Sequence, residues 1–184
     1  MSHRSAARLI AAALLGIGTL CPARAASLPP ALAPLEFLLG DWEGGGGGTP
    51  GQSQGGTSFA PSLQDRVIIR TNFAVTAATG TTPASRHDDL MIVYADERGA
   101  VRADYYDNEG HVIRYTVTAP RPGRAVFTSA AAAGVPQYRL TYDAGPSGLV
   151  SGTFAIAPPD KPGAFTPYLT WEMKRTPPKT AGRP

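Results

Sequence analysis

Leu35-Glu36-Phe37-Leu38-Leu39-Gly40-Asp41-Trp42-Glu43-Gly44 is an apolar turn that stops at a glycine, meets a tryptophan two residues later and runs into the glycines Gly44 to Gly48. Glycine permits sharp bends and close backbone approach, so this stretch marks the place where a chain turns into its fold. The residues after Gly48 read as short strands that the segment opens and plugs. Runs rich in Val, Ile, Thr, Tyr and Phe recur, and most of the 21 glycines and 18 prolines fall between them. Beyond residue 25 only the approach to Gly40 has helical spacing, so the sequence predicts an all-β fold entered by one short helical turn.

The first residues belong to a different reading. Arg4 and Arg8 form a positive start, residues 9–20 are apolar, and Ala23-Arg24-Ala25 has the form of an export-signal cleavage site. Residues 1–25 are therefore expected to be a signal peptide, 26–176 one domain and 177–184 a disordered tail, in a periplasmic or secreted protein with no membrane anchor after cleavage. The apolar run is shorter than the roughly 18 residues a membrane span requires. Leu20 before Cys21 is the wrong neighbour for lipidation, and no arginine pair precedes the apolar run.

Cleavage changes the charge balance. The chain holds 17 Lys+Arg against 14 Asp+Glu, and Arg4, Arg8 and Arg24 leave with the signal while no acid does, so 14 face 14. The balance gives no basic excess for phosphates, and no nucleic-acid partner is expected. Cys21 is the only cysteine and leaves too, which removes disulfides and thiolate chemistry from the mature chain.

Turn chemistry places strands over residues 41–45, 57–63, 66–76, 88–95, 101–106, 111–119, 124–130, 137–143, 149–157 and 165–175. Residues 46–56 read as a flexible polar connection, and Pro61 as an edge or bulge. Asp96-Glu97-Arg98-Gly99 and Asp107-Asn108-Glu109-Gly110 each end in a glycine suited to positive φ, as hairpins need. About ten sequential strands in a meander close into an up-and-down antiparallel barrel.

Alternation assigns Val67, Ile69, Phe73, Val75, Leu90, Ile92, Tyr94, Val101, Ala103, Tyr105, Ile113, Tyr115, Val117, Phe127, Tyr138, Leu140, Tyr142, Leu169, Trp171 and Met173 to an apolar interior. Arg70, Asn72, Arg102, Asp104, Arg114, Arg139, Glu172 and Lys174 fall outside, while Ile68, Met91 and Val93 break the pattern. A packed core satisfies this division, but a barrel of about ten strands leaves interior space, so a ligand cavity is expected. Phe73, Tyr94, Tyr105, Tyr115, Phe127, Tyr142 and Trp171 are the expected ligand-lining residues.

Gly40-Asp41-Trp42 resembles the Gly-x-Trp opening of lipocalins, and Gly40-x-Trp42-x-Gly44-x-Gly46 resembles that of nitrobindin-like barrels. The mature chain is similar in outline to the calycin group, fatty-acid-binding barrels included, and to small exported bacterial proteins of unknown function. The resemblance implies that Trp42 closes one end of the barrel and that a ligand enters at the other. Nitrobindin-like barrels hold haem through a histidine near the C-terminus; no histidine follows His111, and no cofactor is expected.

His87 and His111 are the imidazoles of the mature chain, next to Asp88, Asp89, Asp107 and Glu109. By parity His111 and Asp107 share a hairpin and face the barrel mouth, where they form a possible acid–base pair; solvated turn residues are the plain alternative. Three converging metal ligands are not evident, and no metal is expected. Arg70, Arg114 and Arg139 would line a cationic pocket if the faces were reversed. Gly51-Gln52-Ser53-Gln54-Gly55 spells a nucleophile elbow but lacks the strand before it and the helix after it, the 107–110 turn lacks the spaced oxygens of a calcium loop, and no Gly-Lys-Ser/Thr follows the glycine run. No catalytic residue is assigned. The expected function is binding of a small apolar or amphipathic molecule inside an exported barrel, with an enzyme using His87 and His111, or a structural domain with a filled barrel, as alternatives.

Overall fold

The computed structural model describes residues 28–48, 54–80 and 83–177. A 3-10 turn, Ala33–Leu38, leads into ten strands: β1 (Gly40–Gly48), β2 (Gln54–Ser62), β3 (Val67–Thr76), β4 (Ser85–Ala95), β5 (Val101–Asp107), β6 (Val112–Arg121), β7 (Arg124–Ser129), β8 (Gln137–Ala144), β9 (Val150–Ala157) and β10 (Thr166–Arg175). Each strand pairs antiparallel with its sequence neighbour, and β1 pairs with β10, which closes the barrel. The expected signal peptide, the serine of Gly51-Gln52-Ser53 and the tail from residue 178 lie outside the described residues.

Where the sequence suggested a flexible connection, the strands run on. Gly46 to Gly48 continue β1 against Trp171 to Leu169, and Gln54 to Gly56 begin β2 opposite Val75 to Phe73. The glycines make room for rings. Along one register row across five strands the residues read Gly46, Trp171, Gly152, Tyr142, Ala125, so a small residue flanks each large one. Large rings thereby fill an interior that ten bulky neighbours would overfill.

The end where β1 begins is sealed. Leu32, Leu35 and Leu38 are buried in the core beside Trp42, whose Nε1 donates to Leu38 O at 2.7 Å. Arg175, at the end of β10, lies over the Trp42 ring and donates to the Leu39 and Phe37 carbonyls. Above this plug, Phe59, Phe127 and Tyr142 meet edge to face, with Tyr115 against Phe127, as electron-rich ring faces prefer.

On β3 and β4 the expected faces are reversed. Ile68, Arg70, Ala74, Asp89, Met91 and Val93 are buried inside, and the opposite set, which includes Phe73 and Tyr94, lies on the outer face. Phe73 covers Gly56 under the guanidinium of Arg86, and Tyr94 donates to Asp104. Both faces of these two strands carry apolar side chains, so hydrophobicity alone gave no unique phase. The residues that broke the pattern, Ile68, Met91 and Val93, were the interior ones. β5 to β8 and β10 face as expected.

An extra methyl on Gly152 would fall within the Trp171 indole. Gly152→Ala is expected to destabilise the barrel by about 1–3 kcal/mol through overpacking. Denaturant titration followed by tryptophan emission measures this, and an unchanged midpoint would refute the glycine-flanked packing.

Candidate functional site

Reversing β3 and β4 carries two charges into the barrel. Arg70 stands opposite Phe59 and Met91, and Asp89 opposite Asn72 and Asp107, so all project inward from adjacent strands. Arg70 Nη1 donates to Asp89 Oδ1 at 2.8 Å and Nε to Thr57 Oγ1 at 3.2 Å; Asn72 Nδ2 donates to Asp89 Oδ2 at 2.8 Å. The two charged side chains keep 7% and 4% of their surface, a burial that neither charge tolerates alone. Burial by itself would raise the Asp89 pKa, but Arg70, with His87 and Asn72, holds it below the usual carboxylate range. Arg70 in turn is held above its ordinary value by Asp89 against the effect of burial.

The polar chain continues outward through β4 and the β5–β6 turn. His87 Nδ1 lies 3.0 Å from Glu109 Oε1, its Nε2 3.1 Å from Tyr105 Oη and 3.5 Å from Asp89 Oδ2. Both ring nitrogens thus face acceptors, as an imidazolium requires. Asp89 and then Glu109 push the His87 pKa up to about 9 despite partial burial. Tyr105 Oη donates a hydrogen bond to Asp107 Oδ2 at 3.2 Å. Asp107 also accepts from the Glu109 and His111 amides and from His111 Nδ1, at 3.0, 2.9 and 2.9 Å. This carboxylate therefore shapes the hairpin turn as well as the site, and these bonds hold it below its ordinary pKa although burial opposes them. The turn keeps its form because Gly110 takes φ +91, where a side chain would be strained.

Across the barrel the wall is aromatic. Tyr138 stacks on Phe154 with centroids 5.9 Å apart, and Leu169 and Trp171 on β10 continue the surface. Tyr105, Ile113, Tyr138, Phe154, Leu169 and Trp171 all face inward yet remain partly exposed, whereas the inward residues nearer the Trp42 plug, Val101 apart, are buried. The end away from Trp42 is accordingly an open mouth with a charged wall on β3 to β5 and an aromatic one on β8 to β10.

Of the residues singled out from the sequence, Tyr105, Trp171, His87, Asp107 and Arg70 meet at this mouth or just below it. Tyr115, Phe127 and Tyr142 face inward too and are buried below the mouth. Phe73 and Tyr94 are outside. Arg114 and Arg139 are outside as well: Arg114 is 84% exposed beside Asp104, and Arg139 lies over the Phe165 ring at 3.7 Å. His111 sits on the exposed rim, held by Asp107. Sequence reasoning named Asp89 only as a carboxylate beside His87 and placed Asn72 and Thr57 in no site. Among the described residues no cluster of His, Cys, Asp and Glu is arranged to hold a metal.

Two outcomes test this network. Asp89→Asn strands a buried guanidinium and is expected to cost about 3–5 kcal/mol, much of it recovered when Arg70→Met and Asp89→Leu are combined. His87 has a folded pKa near 9 against an ordinary 6.5, so its contribution is complete below about 6.5 and fades as pH rises through 9. Allowing for solvent screening, stability is expected to fall by on the order of 1 kcal/mol over that window. Asp89 acts oppositely, losing its contribution only in acid, as pH drops through its lowered pKa. Melting curves of the wild type and His87→Gln between pH 6 and 10 check this, since the variant should lack the alkaline slope.

A scan of the chain against protein-family models finds no match, and neither does a search of curated proteins.

Proposed function

We propose that this chain is an exported, calycin-like binding module that takes a small amphipathic ligand through the open mouth of its barrel. One observation carries the reading: inward-facing side chains at one end are partly exposed and divided into a charged wall and an aromatic wall, while those at the other end, Val101 apart, are buried. A site with mostly apolar lining and a few fixed polar groups suits a molecule with an apolar body and one polar end. Tyr138, Phe154, Leu169 and Trp171 offer the body a rigid face; the Arg70–Asp89–His87 wall offers the polar end donors and acceptors already in place. Export rests on the charged start, apolar run and Ala23-Arg24-Ala25, and a mature N-terminus at Ala26 by mass spectrometry would support it.

The enzyme reading has less support. Both nitrogens of His87 are committed to neighbours, and Nδ1 of His111 is tied to Asp107 in a turn that the same carboxylate shapes.

Trp171 lies in the mouth wall and Trp42 under the plug, so the two indoles separate a binding signal from a global one. Titration with a panel of medium-chain amphipaths is expected to change Trp171 emission, and the change should vanish in Trp171→Phe, where only Trp42 reports. Native mass spectrometry of the purified protein provides the second readout. No emission change and no added mass across the panel would end the binding reading.

A further inference from the structure

Below the mouth the packing leaves one polar atom without a partner. Tyr142 is 0% exposed, its ring set edge-on against Phe59, Phe127 and Trp171, and its Oη has no hydrogen-bond partner among the described residues. A buried hydroxyl in that state destabilises the empty barrel, whereas phenylalanine would fill the same space without the loss. The neighbourhood supplies a second donor. Phe59, whose ring centroid lies 5.6 Å from that of Tyr142, stands opposite Arg70 in the β2–β3 register. Arg70 commits Nη1 to Asp89 and Nε to Thr57, which leaves Nη2 outside both of those bonds.

We infer that Tyr142 Oη and Arg70 Nη2 form the inner end of the ligand site and donate together to the oxygen of an uncharged acceptor, the carbonyl of an amide, ester or ketone. The inference rests on the interior-binding reading given above. Two donors call for a ligand oxygen, and the charges nearby decide which kind. Asp89 already neutralises Arg70, and His87 is already matched by Glu109 and Asp89. A ligand carboxylate would place a second anion beside one guanidinium in a poorly solvated interior and would repel Asp89. A carbonyl oxygen takes both donated protons and brings no charge. Burial pushes the Tyr142 pKa up to about 12, which keeps the phenol a proton donor at neutral pH.

The test titrates the full barrel, at neutral pH, with decanamide and decanoate, which share a chain and differ in the charge of the head. Decanamide is expected to bind at least about tenfold more tightly than decanoate. Tyr142→Phe should weaken decanamide by about five- to twentyfold while leaving the melting temperature of the unliganded protein unchanged or higher, a pairing that a merely structural hydroxyl does not produce. Tighter binding of decanoate would overturn the uncharged-acceptor assignment. Decanamide binding that is equal in wild type and Tyr142→Phe would overturn the site at Tyr142 while leaving the interior-binding reading intact. If neither compound alters Trp171 emission, the inference falls together with the reading beneath it.

Discussion

Arg70 and Asp89 can occupy the barrel interior only as a pair, and that constraint organises much of what surrounds them. Either charge alone would demand water that the interior does not supply. Together, with Thr57 and Asn72 taking up further hydrogen-bonding capacity, they form a neutral unit between the aromatic rings and the mouth. The pair also marks the phase of β3 and β4. A slip of one residue would carry both charges to the outside and bring Phe73, Ile92 and Tyr94 in, a choice that side-chain greasiness left undecided.

The rest of the interior obeys a size rule. A ten-stranded ring has more room than its neighbouring side chains would fill if all were medium-sized, and less than it would need if all were large. The chain meets this with extremes: glycine beside tryptophan, glycine beside tyrosine, alanine beside tyrosine. The glycine run that looks in sequence like a slack connection is thus half of a packing device. Near the Trp42 plug the alternation gives a buried core, and toward the mouth it gives a wall of partly exposed rings.

How much of this could be seen in the amino-acid sequence differs by element. The all-β class, the meander order and the number of strands follow from Gly- and Asp-rich turns such as 96–99 and 107–110, because turn stereochemistry is a local property. The interior faces of β5, β6, β8 and β10 were legible because their outward positions carry Arg, Thr and Glu. Those of β3 and β4 were not, since Val67, Ile69, Leu90 and Ile92 make the outer face as apolar as the inner one. The pairing of Arg70 with Asp89 was hidden for the same reason: Arg70 reached the interior only in the reading with reversed faces, and nothing local says that strands joined through residues 77–84 will match the two charges. His87, Asp107 and Tyr105 were named from the sequence. Their partnership was not, because it depends on the β4–β5 register.

Nine of the ten strand pairings join neighbours in the chain, and the tenth, between β1 and β10, joins its two ends. Hairpins form from short, cheaply closed loops, whereas bringing β1 to β10 requires ordering nearly the whole chain first. Until that last seam forms, the bare backbone of the glycine strand and the edge of β10 both lie open to other chains. The one pairing that spans the whole chain is therefore also the one whose absence leaves two strand edges bare, and Arg175 can reach over Trp42 only once it has formed.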